Sequence, residues 1–567
     1  MRNKRYLVIY FCFLGAFVVL LGRLGYIQLI NGPIYTRQAV AQRQHTIDYV
    51  QYHRGRILDR HLRNLTNVEK QPCAVVFPIM VQDFAKTANY LGEVLCLAPE
   101  TITAKLGSQG KRLNNVVQKP FILKANLNDR EIQEIQNAKL PGVFVLPLIS
   151  RYRPDTPAVH TLGYVGQISK NEYQKMEHEK QEYNLTDIIG KSGIEKQYEN
   201  YLRGSNGKEV AALIDERGRL LQGKGFTLLP EDKRITSKNH NIVLTIDAHC
   251  QRIVEQEMEG YSGAAVVMDV TNGDILALAS SPKFDPYLLG PISSNDAYVN
   301  KVLKNYPPAS VFKIVLAAGA LEEGIVCPED IFNCSGHITI PSGRNVSCWK
   351  PDGHGQISFA QALAHSCNPV FIETGLKLGG ELIMNYALKF GLNDDSIIGY
   401  STVSYNHFDF NYSVPGDIAN VSIGEKGIML SPVLVAKLYS QVANGGFGIT
   451  PRLVLKIQDS TGHTVKNFFS PASKRIISSK TAQELKLMLQ SGVREGTGKS
   501  AQVPGIEVAG KTGSSETHGV WFAGFAPVQQ PRWAVVVFLQ KGSSGGREAA
   551  PIFKKIVSQL IAEENNR

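Results

Sequence analysis

Three short peptides, Ser310-Val311-Phe312-Lys313, Ser366-Cys367-Asn368 and Lys511-Thr512-Gly513, follow one another in the last half of this chain. The intervals from Ser310 to Ser366 and from Ser366 to Lys511 are 56 and 145 residues, enough for three separate structural elements. A fold that uses them together must bring three distant elements back to one cleft. Each peptide alone is weak evidence, but the ordered set is not expected by chance.

The residues around each peptide suit that convergence. Tyr306-Pro307-Pro308-Ala309 precedes the first and Ile314 to Leu321, apolar and alanine-rich, follows it. Prolines before such a run predict the start of a buried helix with Ser310 in its first turn. Lys313, three residues on, then shares a face with Ser310. A serine hydroxyl is a poor nucleophile near neutral pH and needs an adjacent base, and a lysine desolvated in a cleft loses enough proton affinity to serve. Taken alone, Ser310 reads equally well as an ordinary helix N-cap. The second peptide follows the helix-like Phe359 to Leu363 and ends at Pro369, which predicts a turn between helices. There Ser366 is placed to relay a proton between Lys313 and a leaving group, and Asn368 to orient Lys313 and bind a substrate amide. The third lies among the strand-like runs Glu507 to Ser515, Gly519 to Pro527 and Arg532 to Leu539. A cation and hydroxyls on that strand (Lys511, Thr512, Ser514) suit a carboxylate, and Gly513 lets a ligand backbone lie close. Backbone N–H groups near Ser310 and Ser514 are candidates to hold an oxyanion. The set implies acyl transfer through a serine ester.

The chain has 567 residues, 43% of them hydrophobic, and a formal charge of +11. That length predicts two or three domains with large cores. Without a long Lys/Arg block or an interleaved aromatic stripe, the charge argues for a cell-surface setting and against nucleic acid. Tyr6 to Gly22 is 17 residues without a charge, preceded by Arg2, Lys4 and Arg5. At about 1.5 Å per residue it reaches about 26 Å, and Gly25 to Ile30 extends it past Arg23. No small-x-small cleavage site follows, so an uncleaved anchor is expected, with its basic end in the cytoplasm and the chain after residue 31 outside. Polar stretches run from Glu177 to Asn184 and from Pro230 to Asn239, the second directly before the strand signal Ile242 to Ile246. The expected division is 1–30 tail and anchor, 31–239 first domain, 240–567 second domain. In the second, strands alternate with helices, an α+β pattern of an antiparallel sheet flanked by helices. His354-Gly355, Pro432 and Gly445-Gly446 are read as loops, His354 as structural. No wall-binding repeats are expected after the helix-like Ala549 to Glu563.

Of the eight cysteines, Cys334 and Cys348 bracket a 15-residue loop. A disulfide there contributes about 3 kcal/mol on the chain-entropy estimate, and two buried thiols are the alternative. A zinc set of Cys327, Cys334, Cys348 and His337 lacks close-paired spacing. Cys367, inside the second peptide, is assigned to packing.

At this point the sequence resembles the class B penicillin-binding proteins, the monofunctional peptidoglycan D,D-transpeptidases. Further family-like stretches are Arg54 to Arg60, His160 to Gly166, Gly190 to Glu195, Leu244 to Asp247 and Ala264 to Asp269. The resemblance implies a membrane anchor, an elongated pedestal of the dimerisation type over 31–239, and a serine β-lactamase-like transpeptidase domain over 240–567. It implies Ser310 as the acylated nucleophile, Lys313 as its base, Ser366 and Asn368 as proton relay and orienting group, and Lys511, Thr512 and Ser514 as carboxylate binders. Ala309 departs from the glycine many members carry, and its methyl is expected to be tolerated. The implied substrates are peptidoglycan stem peptides, with β-lactams acylating the same serine, and the implied partner is a membrane glycosyltransferase of the shape, elongation, division and sporulation (SEDS) family. The cysteine-bracketed loop slightly favours a sporulation-type relative. No metal or organic cofactor is expected. The competing readings are a D,D-carboxypeptidase or β-lactamase, and a non-catalytic β-lactam sensor or division scaffold. Against fast hydrolysis, the chain has no Glu-x-x-Leu-Asn element, and Ser366-Cys367-Asn368 differs from the serine-x-valine form of class D β-lactamases.

Overall fold

A computed structural model describes residues 2–30, 44–47, 54–67, 70–106, 121–153, 155–178, 183, 187–203, 210–213, 226–228, 239–287, 289, 296–515 and 518–565. The chain divides into two compact units, one of residues 1–53, 70–149 and 205–236, the other of 54–69, 150–204 and 237–567. The anticipated boundary stretch from Pro230 lies, up to Lys238, outside the described residues, as does most of Glu177 to Asn184. Residues 54–69 and 150–204, assigned from sequence to the first domain, belong to the catalytic unit.

In the first unit an N-terminal helix, Arg2–Gly25, continues into a wider turn over Tyr26–Ile30. Within it Tyr10–Gln28 is long and apolar enough to cross a membrane. The same unit contains an antiparallel sheet of Phe121–Lys124, Lys70–Val76 and Val143–Ile149, with Lys70–Val76 central. Helix Asp129–Ala138 begins with a capping box, in which Asn128 accepts from the Glu131 N–H and Glu131 accepts from that of Asn128.

The second unit is built on a five-stranded antiparallel sheet. Its strands are β1 (Gly263–Asp269), β2 (Ile275–Ser281), β3 (Ala509–Ser515), β4 (Gly519–Ala526) and β5 (Trp533–Leu539), in the order β2-β1-β5-β4-β3. Both faces are covered, as the period of two shows. Ala264, Val266, Met268, Val536 and Phe538 pack into one apolar cluster. Ala265, Val267, Val535 and Val537 pack into another. The first cluster includes helices α1 (Lys313–Glu322), α2 (Phe359–Ala364), α3 (Asn368–Leu378), α4 (Pro432–Ala443) and α5 (Ser479–Arg494). The second includes α6 (Ala549–Asn565) and helix Ala248–Glu257. This is the expected sheet between helical layers. Pro432 is a correction. It occupies the first turn of α4 behind the N-cap Ser431, whose side chain accepts from the Leu434 N–H, and a proline there loses no helical hydrogen bond.

The family-like stretches of the N-terminal half meet in this unit. Glu195, fully buried, accepts from Arg54 Nε at 2.6 Å, Arg151 Nε at 2.7 Å and the Tyr152 hydroxyl at 2.9 Å. Arg54 also reaches Glu199 at 2.7 Å. Beside this network Ile57–Leu58 pairs in parallel with His240–Leu244, so residues remote in sequence close one edge of a second sheet.

Candidate active site

The three peptides converge as their spacing requires. Ala309–Phe312 forms one turn of 3-10 helix running into α1. Because residues three apart eclipse in a 3-10 turn, Ser310 and Lys313 project on the same side. Ser310 is half-buried at the cleft, and Lys313 is fully buried. Three contacts fix the turn. The Ala309 N–H donates to Gly424 O at 2.9 Å, Trp521 Nε1 to Pro307 O at 3.0 Å, and the Tyr439 hydroxyl to Val311 O at 3.1 Å. Ala309 is more strained than the sequence suggested. Its φ is +49°, in the left-handed region where a Cβ costs about 1–2 kcal/mol, so the methyl fits a buried site at the expense of backbone strain.

Ser366, Cys367 and Asn368 form the turn between α2 and α3. Ser366 also has a positive φ, +56°, which turns the chain so that three oxygens face one amine. Lys313 Nζ donates to Asn368 Oδ1 at 2.6 Å, Ser366 O at 3.1 Å and Ser366 Oγ at 3.3 Å. Burial lowers the Lys313 pKa to about 7, against the opposing influence of Cys367, Cys348 and Glu425. Near neutral pH this amine is therefore partly unprotonated, as a base must be.

The third peptide lies on β3, the edge strand of the sheet. Lys511 is buried, and its pKa lies well below the usual lysine range, first through burial and then through the charge of Lys313. Its Nζ donates to Thr512 O at 3.0 Å. The Thr512 hydroxyl is 2.6 Å from that of Thr497, and Ser514 Oγ accepts from the Gly545 N–H at 3.0 Å. Gly513 does more than leave room for a ligand. A Cβ there would lie 3.1 Å from Pro308 O and 3.3 Å from Val311 Cγ1, so its absence lets the strand press against the Ser310 turn.

Several contributors carried no sequence signal. Glu425 accepts from Ser515 Oγ at 3.3 Å and acts electrostatically on Lys313. Thr497, Gly424, Tyr439 and Gly545 lie outside any motif, and only the fold brings them here. A cavity of about 310 Å³ lined by Arg60, His61, Asp247 and Arg532 among others includes none of these residues. Cys334 and Cys348, expected as a bridged pair, are free thiols, both buried.

Residues 263–558 match the family model of the penicillin-binding protein transpeptidase domain, and residues 49–225 that of the penicillin-binding protein dimerisation domain. Stage V sporulation protein D of Bacillus subtilis is 30% identical over 99% of this chain and 86% of its own length. The peptidoglycan D,D-transpeptidase MrdA of Escherichia coli is 25% identical over 87% of this chain and 83% of its own. Among solved structures, the D,D-transpeptidase domain of a peptidoglycan glycosyltransferase from Eggerthella lenta shares the fold, with a TM-score of 0.59 and 24% identity over 74% of this chain and 94% of that one. Penicillin-binding protein A of M. tuberculosis, solved as an imipenem acyl-enzyme complex, aligns with a TM-score of 0.51 and 25% identity over 57% of this chain and 80% of that one.

Proposed function

Because this chain belongs to the penicillin-binding protein family and is a serine-type peptidoglycan D,D-transpeptidase, we propose that its acyl-enzyme forms on Ser310. The observation that carries this assignment is the buried Lys313 amine, one turn from Ser310 and hydrogen-bonded to Ser366 and Asn368. Unprotonated Lys313 takes the Ser310 proton as Oγ attacks the penultimate D-alanine carbonyl of a stem peptide. The oxyanion is met by the N–H groups of Ser310 and Ser514. The terminal carboxylate lies against Thr512, Ser514 and Lys511, and its charge relieves the cost of burying two lysines side by side. Ser366 passes the proton to the departing D-alanine amine. An amine from a neighbouring stem then resolves the ester by the reverse sequence. A β-lactam enters the same way, but its opened ring stays attached and no group leaves.

The supporting features extend to cellular context. The apolar helix within Arg2–Gly25, preceded by Arg2, Lys4 and Arg5, favours a single-pass anchor with a cytoplasmic N-terminus. In this reading residues 1–30 anchor the protein, the rest of the first compact unit forms a pedestal, the second unit catalyses, and a SEDS-family glycosyltransferase polymerises the strands that are cross-linked. The match to a stage V sporulation protein over 99% of this chain supports a sporulation role. Fluorescent penicillin with intact-mass analysis tests the chemistry. One adduct is expected on the parent chain and none on Ser310→Ala, and a label persisting on Ser310→Ala refutes the assignment.

A further inference from the structure

One cluster plays no part in the mechanism above. Cys334, Cys348, His354 and Cys367 each present one ligand atom, and these four atoms all lie within 4.8 Å of one another. They come from four places. Cys334 ends strand Ile331–Cys334, Cys348 follows strand Asn345–Ser347, His354 immediately precedes strand Gly355–Ser358, and Cys367 sits between Ser366 and Asn368. The three cysteines are buried and free, and His354 is half-buried. Among the described residues, His354 Nε2 is buried without a hydrogen-bond partner, while Nδ1 is 3.5 Å from Cys348 Sγ.

A tetrahedral ion with metal–sulfur bonds of about 2.3 Å and metal–nitrogen bonds of about 2.05 Å separates sulfur from nitrogen by about 3.6 Å and sulfur from sulfur by about 3.8 Å. The 3.5 Å contact matches that sulfur–nitrogen edge. A disulfide, by contrast, brings two sulfurs to about 2.05 Å and leaves the third thiol and the imidazole unused.

The surrounding lobe is built of short strands. Residues 331–358 contain only two-stranded ladders, Ile331–Cys334 with Gly355–Ser358 and His337–Thr339 with Asn345–Ser347. Such short pairs are marginal without further support. Gly336 (φ +94°) and Gly353 (φ +73°) let the two loops touch backbone to backbone. A Cβ on either would lie 2.0 Å from the other loop's carbonyls, those of Pro351 and Cys334.

We propose that Cys334, Cys348, His354 and Cys367 bind one divalent metal ion, zinc by the softness and number of the donors, in a closed tetrahedral site that anchors the turn carrying Ser366 and Asn368. With four protein ligands the ion has no open position, so its role is structural. Binding displaces the three thiol protons, and loss of the ion frees the turn that holds Ser366 and Asn368 on Lys313. Metal binding stands independently of the assigned chemistry; only its effect on acylation rests on the transpeptidase reading.

The full chain, purified in detergent under reducing conditions and gel-filtered, is assayed for metal by inductively coupled plasma mass spectrometry. The expected result is one zinc per chain in the parent and a loss of at least about tenfold in occupancy in Cys334→Ser/Cys348→Ser. Should that variant fail to fold, cobalt(II) loaded into the unaltered chain supplies the decision. Intense visible bands and a thiolate-to-cobalt charge-transfer band support a tetrahedral cysteine site, and weak octahedral bands overturn it. Substoichiometric metal, or a disulfide between any two of the three cysteines in alkylated peptides, also overturns the proposal. Chelation is expected to slow penicillin labelling about tenfold, with recovery on added zinc. Unchanged labelling of a metal-free chain refutes the anchoring role while leaving the Ser310 assignment intact.

Discussion

Replacing Lys313 with methionine separates the cost of the buried amine from its use. The Lys313 pKa falls from 10.5 to about 7 on folding. A cation whose folded-state pKa is depressed destabilises the fold fully below the folded value, and the penalty disappears as pH rises towards the unfolded value. The window is therefore pH 7 to 10.5. At about 1.4 kcal/mol per pKa unit, the penalty is about 5 kcal/mol at pH 6 and about 2 kcal/mol at pH 9. Methionine has nearly the same shape and carries no charge, but it abandons three oxygens now served by Nζ, at about 1 kcal/mol each. Lys313→Met should be about 2 kcal/mol more stable than the parent at pH 6 and about 1 kcal/mol less stable at pH 9. All three tryptophans, Trp349, Trp521 and Trp533, lie in the catalytic region, so urea unfolding followed by tryptophan fluorescence reports on it. Lys511 loses the repulsion of Lys313 in the variant, which adds to the variant's relative stability at low pH. The variant should also lose penicillin labelling by about 10²–10⁴-fold, while the parent's labelling rate rises with pH through about 7. A stability difference that stays constant from pH 6 to 9, or a variant that still acylates, refutes the depressed amine and its role as base.

Three other perturbations test the surroundings. Gly513→Ala forces a methyl between β3 and the Ser310 turn, and about 1–3 kcal/mol of lost thermal stability with slower penicillin labelling is expected. Glu195→Gln leaves Arg54 and Arg151 buried with reduced counter-charge and should cost about 3–5 kcal/mol in urea unfolding. Thr497→Val removes the hydroxyl bonded to Thr512, so labelling should slow while the unfolding midpoint shifts by only about 1 kcal/mol.

The local order of the chain determined a good deal. The proline-led, alanine-rich run after Ser310 specified a buried helix start, Pro369 fixed a turn between helices, and the runs from Ala509 to Leu539 specified strands. Each conclusion depends on neighbours within a few residues, where propensity and periodicity act. For the same reason three peptides could be assigned to one cleft without knowledge of how they meet.

What lay beyond reach involved partners distant in sequence. Residues 54–69 and 150–204 join the catalytic unit because buried Glu195 gathers Arg54 and Arg151 from stretches about 140 and 44 residues away, and no local pattern announces such a pairing. The depressed basicity of Lys313 arises from complete burial, a property of the packed interior and not of the peptide. The cysteines give the sharpest contrast. Spacing drew attention to Cys334 and Cys348 as a disulfide pair and spoke against a zinc set with Cys327 and His337, whereas the tertiary structure gathers Cys334 and Cys348 with Cys367 and His354. The chain dictated which chemical groups were present. Only folding decided which of them stand within a few ångströms of one another, because that distance is set by packing between elements.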